Sequence, residues 1–291
     1  MKGAIRHEGR RILDLQDVLR FYSKFRSVYK TVRRSINSPS LLLFLSEFVK
    51  PGDLVFDVGA NVGNYVTVCL KLGARVVAIE PQDDCVKLLV SRFGRDHRVS
   101  IEPVSLGEKE GKGLLYLSDV RTPISSMSRD WIEAVKTSGR FRHFEWTRSQ
   151  AVTLMCMDNL IDKYGKPSFC KIDAEGYEHE VLMGLNFPLE KLSFEYHIEC
   201  LSKLELCLSR LEEFGTYSFN YTIGEQPCFR SSAWLNWTDL LQIFRSLSNR
   251  TLQGDIYAIL DKPHRASRIS MTTITKSLES TTGCCGLNTQ P

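Results

Sequence analysis

The chain has 291 residues, of which 43% are hydrophobic and 25% are charged. This composition supports a sizeable buried core and excludes an intrinsically disordered or collagen-like chain. The apolar run 41–45 is far shorter than the roughly 18 residues of a membrane-spanning helix. Because the first eight residues also lack the apolar core of a secretory signal, we expect a soluble, cytoplasmic protein.

The net charge of +4 is distributed unevenly along the chain. Residues 1–50 hold 11 Lys and Arg against 4 Asp and Glu, and residues 262–291 hold 4 against 1, so residues 51–261 carry −6. A domain that binds nucleic acid usually carries positive charge on its main body. We therefore expect no nucleic-acid partner.

The two ends of the chain differ from its centre. Apolar residues recur every three or four positions between Leu15 and Val32, which predicts a helix within a basic N-terminal extension, residues 1–50. The basic face of this helix is either solvated or contacts an anionic membrane surface or an anionic partner. Residues 263–291 are rich in Ser and Thr, which predicts a disordered tail.

Nine cysteines occur in the chain, an odd number with no C-x-x-C pair. This pattern is evidence against both a disulfide framework and a structural zinc site. We expect most of these residues to be small buried side chains.

A helix is predicted from Pro39 to about Val49, since Ser38-Pro39 is a typical helix start. Beyond it, apolar strand patterns alternate with helical patterns through a domain that spans residues 51–262. The predicted strands cover 54–58, 75–80, 99–104, 169–173, 192–198, 217–222 and 255–260. Sustained alternation predicts an α/β fold, a doubly wound sheet with ligands bound at the carboxyl ends of its strands.

The first predicted strand leads into a glycine-containing loop, Asp57-Val58-Gly59-Ala60-Asn61-Val62-Gly63-Asn64. Its glycines permit a close backbone approach at a helix start, but their spacing differs from the G-x-G-x-x-G of dinucleotide sites. The loop fits a cofactor with an amino-acid end and a nucleoside end, S-adenosylmethionine. Glu80 ends the second strand, where a carboxylate accepts hydrogen bonds from ribose hydroxyls, and Pro81 flanks the same sugar.

Four segments together resemble the successive motifs of the FkbM-type S-adenosylmethionine-dependent methyltransferases: 57–63 (DVGANVG), 78–81 (AIEP), 171–178 (KIDAEGYE) and 195–199 (EYHIE). The resemblance covers roughly residues 50–200. It implies a class I methyltransferase (Rossmann-like) fold with a seven-stranded, mostly parallel sheet, helices on both faces and the last strand antiparallel. It also implies O-methylation of a hydroxyl on a sugar, glycan or natural-product acceptor. The resemblance implies that Ser105, after the third strand, lies near the adenine, although this chain departs from the family there, with S-L-G-E where the family often has A-L-S-D.

The fourth and fifth strands carry charged residues that central strands normally lack. Lys171 and Asp173 share one strand face, as do Glu195, His197 and Glu199 on the next strand. A register offset of 24 residues would pair Lys171 with Glu195 and Asp173 with His197. We expect a structural ion pair in the first of these positions.

Asp173 and His197 would then face the methyl group of the cofactor. Transfer to a hydroxyl needs a nearby general base, and an imidazole held by a carboxylate suits neutral pH. The predicted base is His197, with Asp173 orienting it or the substrate, and Glu175 and Glu178 are alternatives. A competing hypothesis is a Mg²⁺ or Mn²⁺ site on Asp173, His197 and Glu199, although we predict no metal.

The long polar segment 119–150 is predicted to be a substrate lid, because it mixes tryptophans with arginines that could hold an anion, Arg140 among them. Two other classes stay open. An N-methyltransferase is disfavoured because the fourth strand ends in D-A-E-G rather than in an Asn/Asp-Pro-Pro-aromatic signature. A non-catalytic binding module that keeps the nucleotide fold is the second alternative.

Overall fold

The computed structural model describes residues 39–118, 124–247 and 251–263. The predicted N-terminal helix and the tail beyond residue 263 lie outside these ranges. The helices are α1 (Pro39–Leu45), α2 (Asn64–Lys71), α3 (Asp83–Phe93), α4 (Arg129–Thr137), α5 (Met157–Tyr164), α6 (Glu178–Met183), α7 (Leu201–Glu212) and α8 (Trp237–Ser246). The strands are β1 (Leu54–Val58), β2 (Arg75–Ile79), β3 (Val99–Glu102), β4 (Ser105–Leu106), β5 (Gly111–Leu117), β6 (Arg148–Met155), β7 (Phe169–Ile172), β8 (Lys191–His197), β9 (Gly215–Tyr221) and β10 (Gln253–Pro263).

The main sheet has seven strands in the order β3-β2-β1-β7-β8-β10-β9. The first five strands in this order run parallel to one another. Strand β10 is antiparallel to both of its neighbours. The predicted seven-stranded, mostly parallel sheet with an antiparallel last strand is confirmed.

Strand β1 shows why the sheet needs a helical layer on each face. Leu54 and Phe56 pack into one core cluster together with α5 to α8. Val55, which points the opposite way, packs into a second cluster with α1, α2 and α3. Because both faces are covered, all five residues of β1 are buried, as a central parallel strand requires.

Helix α1 begins at Pro39 as predicted but ends at Leu45, four residues before the predicted end. The chain then turns, and Phe48 and Val49 enter the core next to Phe169 and Tyr257. The ring centroid of Phe48 lies 5.0 Å from that of Tyr257. The segment 39–50, which the sequence places in the N-terminal extension, therefore packs against the main sheet.

A second, three-stranded sheet in the order β4-β6-β5 was missed by the sequence predictions. Strands β5 and β6 pair antiparallel and flank the insertion that contains α4. Burial alternates only weakly along both strands, because one face is largely exposed and the other is mostly only partly buried. The predicted lid is thus partly sheet, and its residues 119–123 lie outside the described ranges.

No disulfide joins the seven cysteines in the described part of the chain, and four of them are buried. This agrees with the prediction of buried thiols for those positions. Within the same ranges, no helix combines the length and apolarity needed to cross a bilayer.

Candidate functional site

A cleft of about 390 Å³ opens at the carboxyl ends of β1, β2 and β7. Ligand sites in open α/β sheets lie at this edge, where neighbouring loops diverge. Most of the residues predicted to bind a cofactor or to act in catalysis line the cleft: Asp57, Gly59, Asn61, Asn64, Glu80, Pro81, Ser105, Asp173 and Glu175. Gly63 and His197 do not form part of its wall.

The loop after β1 follows a path that requires glycine. Gly59 has a φ of 78°, and a β-carbon there would overlap the backbone carbonyl of Asp173. Gly63, with a φ of 79°, faces the side chains of Phe93 and Leu89 instead of the cleft. The first glycine therefore brings the loop against β7, whereas the second packs the start of α2 onto α3.

Two buried acceptors, one at each end of this loop, have no hydrogen-bond partner. They are Oδ2 of Asp57 and Oδ1 of Asn64, both on residues that line the cleft. Burial raises the pKa of Asp57 to about 6, although the positive charge of Lys171 opposes that rise. A buried acceptor without a donor is costly, so this end of the cleft suits a ligand with a donor group such as an ammonium.

Glu80 fastens the loops that follow β1 and β2. Its Oε2 accepts a hydrogen bond from the Asn61 amide at 2.7 Å, and its Oε1 accepts one from the Gln82 amide at 2.8 Å. Burial raises the pKa of Glu80 to about 7. Each carboxylate oxygen keeps a second lone pair, which could accept a hydrogen bond from a ribose hydroxyl.

The cleft wall beyond Glu80 is built partly by the second sheet. Ser105 lies on β4, which pairs with β6. The Pro81 carbonyl accepts a hydrogen bond from the side chain of Gln150 on β6 at 2.7 Å. Val104 and Leu106 line the same wall. The insertion thus supports the predicted nucleoside end, a role that its polar sequence did not reveal.

The register of β7 and β8 corrects one prediction. Lys171 pairs with Ser193, an offset of 22 residues rather than 24. A shift of two residues keeps every side chain on its predicted face but changes its partner. Asp173 consequently shares a hydrogen bond with Glu195, not with His197.

The predicted ion pair between Lys171 and Glu195 is also wrong. Nζ of Lys171 lies 2.5 Å from Oδ2 of Asp173, two residues along the same strand face, and 4.7 Å from the centroid of the Tyr65 ring. Burial disfavours charge on both partners. Nevertheless, the opposite charge of Lys171 holds the pKa of Asp173 below its ordinary value, and Asp173 in turn keeps Lys171 protonated.

Two further glutamates lie beside this pair. Desolvation, followed by the negative charge of its neighbours, raises the pKa of Glu175 and of Glu195 well above the ordinary range. A protonated Glu195 can donate the hydrogen bond that Asp173 accepts. Asp173 therefore stays ionised beside two carboxyl groups that hold protons readily.

His197 lies against these carboxyl groups but not on the cleft surface. Its Nε2 is 3.0 Å from Oε2 of Glu195 and 3.7 Å from Oε2 of Glu175. Its Nδ1 contacts Nη1 of Arg140 at 3.0 Å. Burial lowers the pKa of His197 to about 4, so the ring is neutral at pH 7. With both nitrogens engaged, the ring is placed to orient Glu195 and Glu175.

The residues of the alternative metal hypothesis do not converge. Glu199 is paired with Arg140 and Asp173 with Lys171. A different set, Glu175, Glu195 and His197, places one ligand atom of each residue within 4.8 Å of the others. A histidine that binds a metal donates its second N–H to an acceptor. The donor beside Nδ1 of His197 is the opposite arrangement, so this set does not fit a metal ion.

Several cleft residues had no sequence signal of their own. Tyr65 follows the predicted loop directly, and Asp255 comes from β10, whose antiparallel insertion beside β8 brings it next to Lys171. Burial raises the pKa of Asp255 to about 6. Among the described residues that line the cleft, Lys171 is the one basic side chain. The described arginines of the predicted lid do not line it.

The strand order, the antiparallel strand β10 and the loop that joins Asp57 to Glu80 define a class I methyltransferase fold. A family model described as "Methyltransferase FkbM domain" matches residues 57–222, more than half of the chain. The chain belongs to the FkbM methyltransferase family.

One similar characterised protein is the hexuronic acid methyltransferase AglP of Haloferax volcanii. It is 27% identical over 156 residues, which cover 53% of this chain and 59% of the relative. The chain thus matches less than two thirds of that relative's length.

Two solved structures are also similar. A precorrin-6y C5,15-methyltransferase from Geobacter metallireducens has a TM-score of 0.40 and 11% identity, with 76% of this chain and 87% of that chain covered. An S-adenosylmethionine-dependent O-methyltransferase from Thermotoga maritima has a TM-score of 0.37 and 12% identity, with 78% and 67% covered.

Proposed function

We propose that this protein is an S-adenosylmethionine-dependent methyltransferase that transfers a methyl group to a hydroxyl oxygen of a sugar, glycan or natural-product acceptor. The observation that carries the proposal is the pair of partnerless buried acceptors on Asp57 and Asn64 at one end of the cleft. Glu80, fixed by two backbone amides, lines the same cleft. An amino-acid group and a ribose on one ligand would complement both sets of acceptors.

The chain's own residues would hold this cofactor by hydrogen bonds. Asp57 and Asn64 accept from its ammonium group, and Glu80 accepts from its ribose hydroxyls. Val104, Ser105 and Leu106 line the space left for the adenine. When bound, S-adenosylmethionine supplies an electrophilic methyl group on a positively charged sulfur.

The carboxyl groups at the ends of β7 and β8 bind and orient the acceptor hydroxyl. The ionised carboxylate of Asp173 accepts a hydrogen bond from an acceptor hydroxyl and orients its oxygen toward the methyl carbon. In its ionised form, Glu175 would take up the proton that this hydroxyl loses on methylation. A carboxylate with a raised pKa is a better base near neutral pH than an unperturbed one. His197, the base expected from the sequence, holds Glu195 and Glu175 in place.

A sugar acceptor is supported by the chemistry of the cleft and by the relative. Carboxylates are strong acceptors for the hydroxyls of a polyol, and the described cleft has seven of them against one lysine. The similar AglP is named for its action on a hexuronic acid. Since Lys171 is already paired with Asp173, a neutral polyol suits the described cleft better than an anionic sugar.

The decisive experiment is transfer of a labelled methyl group from S-adenosylmethionine to panels of neutral glycosides, uronic acids, hydroxylated metabolites and amines. Product in a hydroxyl panel that is lost in Glu175→Gln supports the proposal. His197→Gln should lower kcat while product is still formed. Methylation of amines alone would replace the proposal with N-methyltransfer.

Cofactor binding separates an enzyme from a binding module without knowledge of the acceptor. Thermal unfolding is measured with S-adenosylmethionine and with its demethylated product, S-adenosylhomocysteine. Stabilisation by both compounds, weaker in Asp57→Asn, is expected. If neither compound stabilises the protein, the cofactor site and the proposed activity are both lost.

A further inference from the structure

Arg140 lies in the insertion, after α4, and its side chain is buried between the ends of β8 and β10. The side chain of Arg140 is only 11% exposed, and that of its partner Glu199 is 4% exposed. Nε and Nη2 of Arg140 contact the two carboxylate oxygens of Glu199 at 3.0 and 3.1 Å. Nη1 contacts Nδ1 of His197 at 3.0 Å and also the side chain of Gln253. A two-point pair of this kind fixes the plane of the guanidinium.

The chemistry of the guanidinium decides where His197 carries its proton. Arginine is a donor only, so Nδ1 of His197 must accept, and the single proton of the neutral ring must sit on Nε2. From Nε2 it points at Oε2 of Glu195, 3.0 Å away. Glu195 in turn shares a hydrogen bond with Asp173. Lys171 donates to Asp173 from the other side.

All of these hydrogen bonds run in one direction. Arg140 donates to His197, His197 to Glu195, and Glu195 to Asp173, so the sequence of donors ends on the carboxylate of Asp173, which lines the cleft. Reversing the tautomer of His197 would leave two donors facing each other at Nδ1 and two acceptors facing each other at Nε2. The second arrangement is unfavourable because buried polar groups need complementary partners.

We infer that Arg140 is a positioning residue, which fixes the proton of His197 on Nε2 and thereby directs a chain of hydrogen bonds toward the cleft carboxylates. The catalytic meaning of this chain rests on the proposed methyl transfer. The tautomer of His197 is a property of the protein itself and can be measured without an acceptor. The insertion, predicted as a substrate lid, thus also supplies the arginine that orients His197 behind the cleft.

The test is long-range ¹H–¹⁵N NMR of the full chain labelled at histidine, recorded with and without S-adenosylhomocysteine, with His197 assigned by loss of its signals in His197→Gln. The wild type should show a protonated Nε2 and an unprotonated Nδ1. In Arg140→Met, Nδ1 loses its donor and the nearby carboxylate of Glu199 loses its counter-ion, so Nδ1 should become protonated. Arg140→Lys, which keeps a charged donor, should restore the unprotonated Nδ1.

The matched control is Arg245→Met, which removes another arginine–glutamate pair, to Glu205, from an exposed position on α8. The control should keep the wild-type tautomer. A protonated Nδ1 in the wild type, or an unprotonated Nδ1 in Arg140→Met, overturns the inference. If Arg140→Met does not fold, Arg140→Gln replaces it, with mixed tautomers expected and a pure Nε2–H ring as the contrary result. Absence of cofactor binding would defeat the proposed function but leave the tautomer result intact.

Discussion

The α-carbon of Gly59 lies against the backbone carbonyl of Asp173, so closely that a β-carbon on residue 59 would overlap the carbonyl oxygen. The Asp173 amide also donates a hydrogen bond to the Val58 carbonyl at 2.9 Å. These contacts join the loop proposed to hold the cofactor to the strand end that carries Asp173, the carboxylate proposed to orient the acceptor. The distance between the two parts of the site is therefore set by backbone.

Gly59→Ala should damage both parts at once. The new β-carbon meets backbone rather than a flexible side chain, and φ is positive at this position. We expect the free energy of unfolding to fall by roughly 2–5 kcal/mol and binding of S-adenosylmethionine to be lost. Denaturant unfolding and titration calorimetry measure the two effects.

Gly52→Ala is the matched control for this substitution. Gly52 has a φ of 87°, but a β-carbon there would have no atom within 4 Å. Gly52→Ala should lower the free energy of unfolding only by the backbone strain, roughly 1–2 kcal/mol, and should leave the affinity for the cofactor unchanged. Equal losses in the two variants would contradict the close approach to Asp173.

The affinity for S-adenosylmethionine should rise with pH as Glu80 ionises. Burial raises its pKa to about 7, and the ionised group is the better acceptor for ribose hydroxyls. The sign for stability is opposite. A carboxyl whose pKa is raised on folding stabilises the unliganded protein fully below pH 4.5, and this contribution is lost as the pH rises through about 7.

Comparing the wild type with Glu80→Gln separates the titration of Glu80 from that of Asp57 and Asp255. The pKa values of those two groups, about 6, also lie between pH 5 and 8. Dissociation constants and melting temperatures are measured from pH 5 to 8. The difference between the two proteins should change most near pH 7. A difference that does not vary with pH would show that Glu80 does not titrate there.

Asp57→Asn should weaken the cofactor complex while leaving the unliganded fold intact. A hydrogen bond to a charged group contributes about 1.5–3 kcal/mol, so affinity should fall by roughly tenfold or more. Removal of a buried carboxylate should also stabilise the unliganded protein above pH 6, where Asp57 ionises at a desolvation cost. Calorimetry and thermal unfolding at pH 7.5 measure both changes.

5′-Methylthioadenosine provides the control for this prediction, because it lacks the amino-acid end. It should bind the wild type and Asp57→Asn equally well. A similar loss of affinity for both ligands would place Asp57 elsewhere in the complex.

Lys171→Met should destabilise the protein by roughly 1–3 kcal/mol, because it leaves the partly exposed carboxylate of Asp173 without its counter-ion. Lys171→Met combined with Asp173→Asn should recover much of that loss, since no unpaired charge remains. Denaturant unfolding of the two single variants and the double variant gives the coupling energy. Additive effects would mean that the two side chains do not form the pair.

The sequence determined the main fold because its local signals agree with the tertiary packing. The wholly apolar run at β1 and the alternation of strands and helices predicted the main sheet, and the loop from Asp57 to Asn64 predicted the cofactor edge. Strands β5 and β6 escaped prediction. Their polar, partly exposed faces lack the apolar pattern of the main sheet, and their pairing depends on contacts between distant segments.

Only the tertiary structure decided which charged residues meet. A two-residue period assigns Lys171, Asp173, Glu195 and His197 to strand faces but leaves the register open by any even number of residues. The packing of the sheet fixed the register between β7 and β8 at an offset of 22 residues. In this register Lys171 pairs with Asp173 rather than with Glu195, and His197 lies behind the cleft carboxylates. Arg140 reaches His197 from 57 residues away in the chain, and contacts over such separations exist only after the fold has closed.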